Sequence, residues 1–139
     1  MRDRLPLVLA ALWWGSLTTL GFLVVPMLFA HLPTPAIAGG MAARLFSAQT
    51  WVSVGCGALL LMLFTSGKDS PSVNRSYFAI VLVVLSMLLA LLVEFGAAPR
   101  IVARENLALW HRVGSALYFL QWLGTGLLLW RLTLHRAAP

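Results

Sequence analysis

Arg44, Glu94, Arg100, His111 and Arg112 are ionisable side chains set at the edges of long uncharged runs, and His31 and Gln49 stand in similar positions. Ionisable groups at membrane depth cost roughly 2.5 to 3.5 kcal/mol each on insertion scales, so they face a bundle interior, pair with one another and mark function. Glu94 directly follows an uncharged stretch from Ser76 to Val93, which points to a buried counter-charge. Arg44 or Arg112 is its expected partner. His111 would stand close by as a proton-responsive or ligand group, because imidazole titrates near neutrality. The plainer alternative has Arg44 and Arg112 snorkelling to headgroups while Glu94 and Arg100 sit in the interface as ordinary helix-end charges. The chemistry implied is the binding or passage of a small solute or ion, with Arg44, Gln49, Glu94, Arg100, His111 and Arg112 as the polar layer.

A second constellation is softer. Met27 and His31 form an i,i+4 pair, and with His111 they offer thioether and imidazole ligands of the kind that suit haem iron or Cu(I). Two histidines at helix ends, one beside Pro33, fit an interfacial role equally, and the chain has no Cys-x-x-Cys-His haem motif. No cofactor is therefore expected, with haem or copper as the alternative. No nucleophile stands beside a base oriented by a carboxylate, and no glycine loop is built to cradle phosphate, so the chain is not expected to be an enzyme. Cys56, between Gly55 and Gly57, has no second cysteine to pair with and reads as a small core residue.

The elements that must position these groups follow from composition. The chain of 139 residues is 60% hydrophobic and 10% charged, against about 25% charged in an ordinary soluble domain. A soluble domain of this size buries only about 70% of the surface its unfolded chain exposes, which would leave large apolar patches in water. Its solvent is lipid. The net charge of +6 and pI near 11.2 do not point to nucleic acid, because the basic residues flank apolar runs instead of interleaving with aromatics on a polar face.

Spanning about 30 Å of hydrocarbon takes roughly 20 apolar residues as a helix, since backbone groups must be satisfied within the segment. Four stretches qualify, giving expected helices over 5–31, 37–66, 76–97 and 107–132, one integral membrane domain. The uncharged run after Arg4 is too long for the h-region of a signal peptide, roughly 7 to 15 residues, and reads as a retained first helix. Pro33 and Pro35 with Gly39-Gly40, then Gly67 to Pro71, then Pro99 with Arg100, interrupt the chain between helices. Short connections make sequential helices antiparallel, an up-down bundle. The side holding both termini then carries Arg2, Arg4, Lys68, Arg75, Arg131 and Arg136, six of the ten basic residues, which places both termini in the cytoplasm by the positive-inside rule.

Small and polar residues mark the inner faces, because lipid tails already satisfy apolar side chains. On the first helix the stripe runs through Ala11, Gly15, Thr18 and Phe22 towards Pro26, and on the second through Gln49, Ser53 and Gly57. The third offers Ser86, Ala90 and Glu94, and the fourth His111, Ser115, Tyr118, Gln121 or Trp122, and Thr125. Pro26 should bend the first helix or free a carbonyl. Stripes at Ala11 and Gly15, and at Gly124 and Gly126, serve either packing within one copy or association of copies.

The segments Gly21-Phe22-Leu23-Val24-Val25-Pro26-Met27-Leu28-Phe29-Ala30-His31-Leu32-Pro33, Ala38 to Phe46, Glu94-Phe95-Gly96-Ala97-Ala98-Pro99-Arg100 and Leu109-Trp110-His111-Arg112 resemble the TMEM205-like family, formerly the domain of unknown function DUF4149. The resemblance covers nearly the whole chain. It implies a four-helix protein of the bacterial inner (plasma) membrane, loosely neighbouring the CopD-like membrane proteins, and brings no reaction, ligand or catalytic residue with it.

Three roles stay open at this level. The first is a non-enzymatic bundle that binds or passes a small solute or ion at its outer polar layer, as a homo-oligomer or in a larger assembly. The second is a haem- or copper-binding membrane protein using Met27, His31 and His111. The third is a structural or assembly subunit of a membrane complex. The lipid bilayer is a partner in all three, and nucleic acid in none.

Overall fold

The computed structural model describes residues 4–66 and 73–137, with side chains over 4–66 and 77–134. Arg2, Lys68 and the break at Gly67 to Pro71 lie outside the described residues, as do the side chains of Arg75 and Arg136. Among the described residues, four helices are long and apolar enough to cross a membrane. The first, α1, spans Leu5–His31 and the second, α2, spans Pro35–Ser66. The third, α3, begins as Val73–Leu91, widens through Leu92–Ala97 and closes as Ala98–Val102, and the fourth, α4, runs over Leu107–Ala137. The protein is a bundle of transmembrane helices in which α1 and α3 each pack against both α2 and α4.

Two of these helices contain a π-helical stretch, at Leu20–Val24 in α1 and Leu92–Ala97 in α3. Each lies just N-terminal to a proline, Pro26 or Pro99. A proline inside a helix lacks the N–H for the carbonyl four residues back, and its ring collides with that carbonyl. A widened turn absorbs the collision, so α3 continues past Pro99 to Val102, beyond the boundary expected at residue 97. Widening also loosens carbonyls that lipid cannot satisfy. In α1 the Leu17 carbonyl accepts a hydrogen bond of 2.7 Å from the Tyr118 hydroxyl of α4. Gly21 makes the approach possible, since a Cβ there would lie 2.7 Å from Tyr118 Cε1.

The half of the bundle nearer the termini is closely packed. Ala10, Trp13, Leu17, Cys56, Leu60, Val83 and Leu128 form its core, and polar side chains tie the helices across it. Gln49 Nε2 donates to Ser16 Oγ at 2.9 Å, and Gln121 Nε2 donates to Ser53 Oγ at 2.9 Å. Trp122 Nε1 donates to Thr18 Oγ1, also at 2.9 Å. Each hydroxyl in turn donates to a carbonyl of its own helix, the usual economy for Ser and Thr in membrane helices.

The inner stripe of α1 differs from the expected one. Trp13 and Leu17 are fully buried, whereas Ala11 and Phe22 are exposed and a Cβ on Gly15 would meet open space. Size did not decide the buried face, because the neighbours supply the room. A side chain on Gly57 would collide with Met87 and touch Trp13, and one on Gly126 would lie 2.8 Å from Trp14 Nε1. Gly124 closes on Ser86 in the same way, so the glycines of α4 serve packing within one copy. The Nε1 atoms of Trp13 and Trp14 are buried without a hydrogen-bond partner among the described residues.

Candidate functional site

Towards the opposite end, where Leu32–Thr34 joins α1 to α2 and Ala103–Asn106 joins α3 to α4, the helices part. Packing of α1 on α4 is concentrated in Leu5–Thr19, while Val25–His31 packs on α2. Aromatic rings cluster where the two helices separate. Trp122 stacks on Trp14 and on Phe119, with centroids 5.8 and 5.6 Å away, and meets the edge of Phe22 at 5.2 Å. Beyond this cluster lies a cavity of about 930 Å³, walled by the end of α1, the start of α2, the end of α3 and the start of α4.

Its walls are apolar apart from one strip. Phe22, Val25 and Phe29 come from α1, Gly39, Ala43 and Phe46 from α2, and Val93, Ala98 and Ile101 from α3. All the polar side chains that line it come from the segment leading into and along α4: Arg104, His111, Ser115 and Tyr118. Leu107, His111, Gly114 or Ser115 and Tyr118 recur at spacings of three and four and so share a helix face. The floor is Tyr118, whose ring meets Phe46 edge-on at 5.1 Å. The exposed residues Phe22, Ser115, Ala116 and Phe119 also line the cavity, so it opens sideways between α1 and α4.

The six side chains of the expected polar layer do not converge. His111 alone among them lines the cavity. Glu94, half-buried in the π-helical stretch of α3, accepts a hydrogen bond of 2.7 Å from Ser47 Oγ of α2, and among the described residues it has no ion-pair partner. Arg44 and Arg112 are exposed and make no hydrogen bond or ion pair among the described residues. Snorkelling explains this: the cost of holding a charge inside hydrocarbon is avoided when a long side chain reaches the interface. Arg100 donates to the Gly96 carbonyl at 2.7 Å, and its guanidinium lies 4.5 Å from the centre of the Trp110 ring. Gln49 is buried deeper, in the packed half, bonded to Ser16.

Of the softer set, Met27 and His31 are both exposed, and His31 Nδ1 lies 3.0 Å from the Met27 carbonyl of its own helix. Among the described residues no three His, Cys, Asp or Glu side chains gather into a group that could hold a metal ion.

Sequence reasoning missed Arg104, which reads as an ordinary loop charge. The available signal was the period: stepping back along α4 from Tyr118 through Ser115, His111 and Leu107 leads to residue 104. The aromatic wall had no signal, because an exposed Phe in a membrane helix reads as facing lipid.

Comparison with known proteins finds a family model described as "Domain of unknown function (DUF4149)" that matches residues 8–108. No curated protein and no solved structure matches. The matched stretch takes in α1, α2, α3 and the turn holding Arg104.

Proposed function

Since the chain belongs to the DUF4149 family, whose domain has no assigned role, we propose a function from its own geometry: it binds a small apolar or amphiphilic molecule in the cavity between the parted helix ends. The observation that carries this reading is the cavity itself, about 930 Å³ in volume, within the roughly 300 to 1,000 Å³ of small-molecule sites, which are lined mostly by apolar and aromatic side chains with a few polar groups to fix orientation. The dispersed arginines argue against an ion path through a charged layer, and Glu94 is held aside by Ser47. The site is read as a binding site without chemistry of its own.

The setting proposed for it is the bacterial inner membrane, with the helices running up and down and both termini in the cytoplasm. The positive-inside bias supports that orientation, with six of ten basic residues on the side of the termini. The cavity then opens in the outer leaflet. Reporter fusions at either terminus should be active only with a cytoplasmic reporter, and the reverse would overturn the orientation.

Ala43 lines the cavity, so Ala43→Trp should fill it. Full-length protein purified in mild detergent should retain a small molecule detectable by native mass spectrometry, and Ala43→Trp should lose it while remaining folded. Equal retention by both proteins, or none by the native chain, would sink the proposal.

A further inference from the structure

Resting on that reading, we infer the chemical class of the ligand: an amphiphile with an anionic head, entering sideways between α1 and α4, its head at Arg104 and His111 and an acyl chain running down to Tyr118. Three observations carry this inference, and each is independent of the cavity's size.

The first is sign. Among the described residues, Arg104 and His111 are the basic side chains lining the cavity, and no carboxylate lines it. Of the two acids at this end, Glu105, next to Arg104 in the turn, does not line the cavity, and Glu94 is bonded to Ser47. An anion entering this mouth meets the positive charge of Arg104 and no opposing carboxylate among the lining residues.

The second is backbone strain at the rim. The end of α3 is a Schellman closure: Glu105 N–H donates to the Arg100 carbonyl at 3.0 Å and Arg104 N–H to the Ile101 carbonyl at 3.1 Å. The residue between these bonds must be left-handed, and the position is usually glycine. Here it is Arg104, at φ 58°. Asn106, also left-handed at φ 37°, is a residue that tolerates the conformation better. A long cationic side chain held at a glycine position, on the lip of a cavity, is strain stored where it aims a functional group.

The third is length and access. At 1.5 Å per residue the strip from Leu107 to Tyr118 is about 16 Å long, roughly half the ~30 Å hydrocarbon core, so it matches a chain lying in one leaflet. The mouth faces the bilayer through the gap beside Phe22 and Phe119, a path open to a molecule already dissolved in lipid. A free fatty acid and a phospholipid share the required chemistry.

The test uses the full chain in detergent and three probes of equal length: dodecanoate, dodecyl phosphate and dodecanol. Tryptophan fluorescence reports binding, since Trp122 lies beside the entry. The native protein should bind both anions at least about tenfold tighter than the alcohol, the discrimination of a charge-assisted hydrogen bond. Arg104→Gln should bring the anions to the level of dodecanol and leave dodecanol unchanged. Arg104→Gly should do the same while raising the melting temperature, because glycine relieves the left-handed strain; a merely structural Arg104 would not give this combination. Equal binding of anion and alcohol by the native chain, or a preference that survives Arg104→Gln, overturns the inference and leaves the cavity reading standing. Failure of all three probes to bind overturns both. Native mass spectrometry from phosphatidylglycerol and phosphatidylcholine nanodiscs then identifies the source. Phosphatidylglycerol retained in preference and lost in Arg104→Gln points to a phospholipid head, and co-purified free fatty acid lost in the same variant points to a carboxylate. Enrichment of neither overturns the inference.

Discussion

The two ends of this bundle are built from the same kinds of residue and use them in opposite ways. Near the termini, glycines admit bulky neighbours: Gly57 makes room for Met87 and Trp13, and Gly126 for Trp14. Near the connecting loops, Gly39 and Gly40 meet nothing within 4 Å and their missing side chains become part of a cavity. Polar groups divide likewise. Ser53 and Gln121 close on each other at 0% and 2% exposure, whereas His111 and Ser115, on the same stripe of α4, look into open space. In lipid there is no hydrophobic drive to bring helices together, so packing and interhelical hydrogen bonds must do it. Where both are supplied the helices close; where the π-helical turn of α1 redirects Val25–His31 towards α2, they part.

This contrast can be broken in steps of decreasing size. Leucine at Gly126 should cost ~2–3 kcal/mol by overpacking against the Trp14 indole, while leucine at Gly39 should stay within about 0.5 kcal/mol, as at other unconstrained positions. Unfolding of both variants in denaturing detergent measures the difference, and equal losses would mean that the loop end is as tightly packed as the other.

A smaller effect is expected in the polar core. Ser53→Ala removes the acceptor of the Gln121 amide and should cost about 1 kcal/mol, near the ~0.6 average and below the ~1.7 maximum found for hydrogen bonds in membrane bundles. The double variant Ser53→Ala/Gln121→Leu should be less destabilised than the two single losses summed, because the unpaired amide is then gone. Strict additivity would show that the two side chains do not interact.

Smallest of all is the pair near the boundary. Ser47→Ala leaves Glu94 without its 2.7 Å hydrogen bond and should cost roughly 0.5 kcal/mol, and Glu94→Gln, which keeps an acceptor, should change stability less than that. Should Glu94→Gln prove the more damaging change, the carboxylate has an ionic role after all and the two ends of the bundle differ less than their packing implies.

Several features of this contrast are legible in the residues alone. The stripe on α2, through Gln49, Ser53 and Gly57, and the part of the α4 stripe nearer the termini, Gln121 and Thr125, are buried because polar and small residues at helical spacing have few other places to go in lipid, whereas His111 and Ser115 of that stripe are exposed. Ser86 and Ala90 on α3 follow the same logic. The stripe on α1 departs from it, because Trp13 and Leu17 bury themselves against glycines and small residues on other helices, and complementarity between helices leaves no trace in either helix alone. The charges are ambiguous for a related reason: a helix-end arginine carries the same letter whether it pairs inside or reaches the interface. Only the direction in which its helix faces decides.

Composition and the lengths of the uncharged runs determined that this protein is four helices in a membrane, since a backbone surrounded by lipid must satisfy its own hydrogen bonds and needs a set length to cross. Tertiary structure alone decided that α1 and α4 touch near the termini and separate at the loops. That separation arises from a widened turn before Pro26, a tyrosine docked against Gly21 and a ring of aromatics around Trp122, contacts among residues some hundred positions apart. The cavity, and the arginine held at a glycine position on its rim, exist only as their sum.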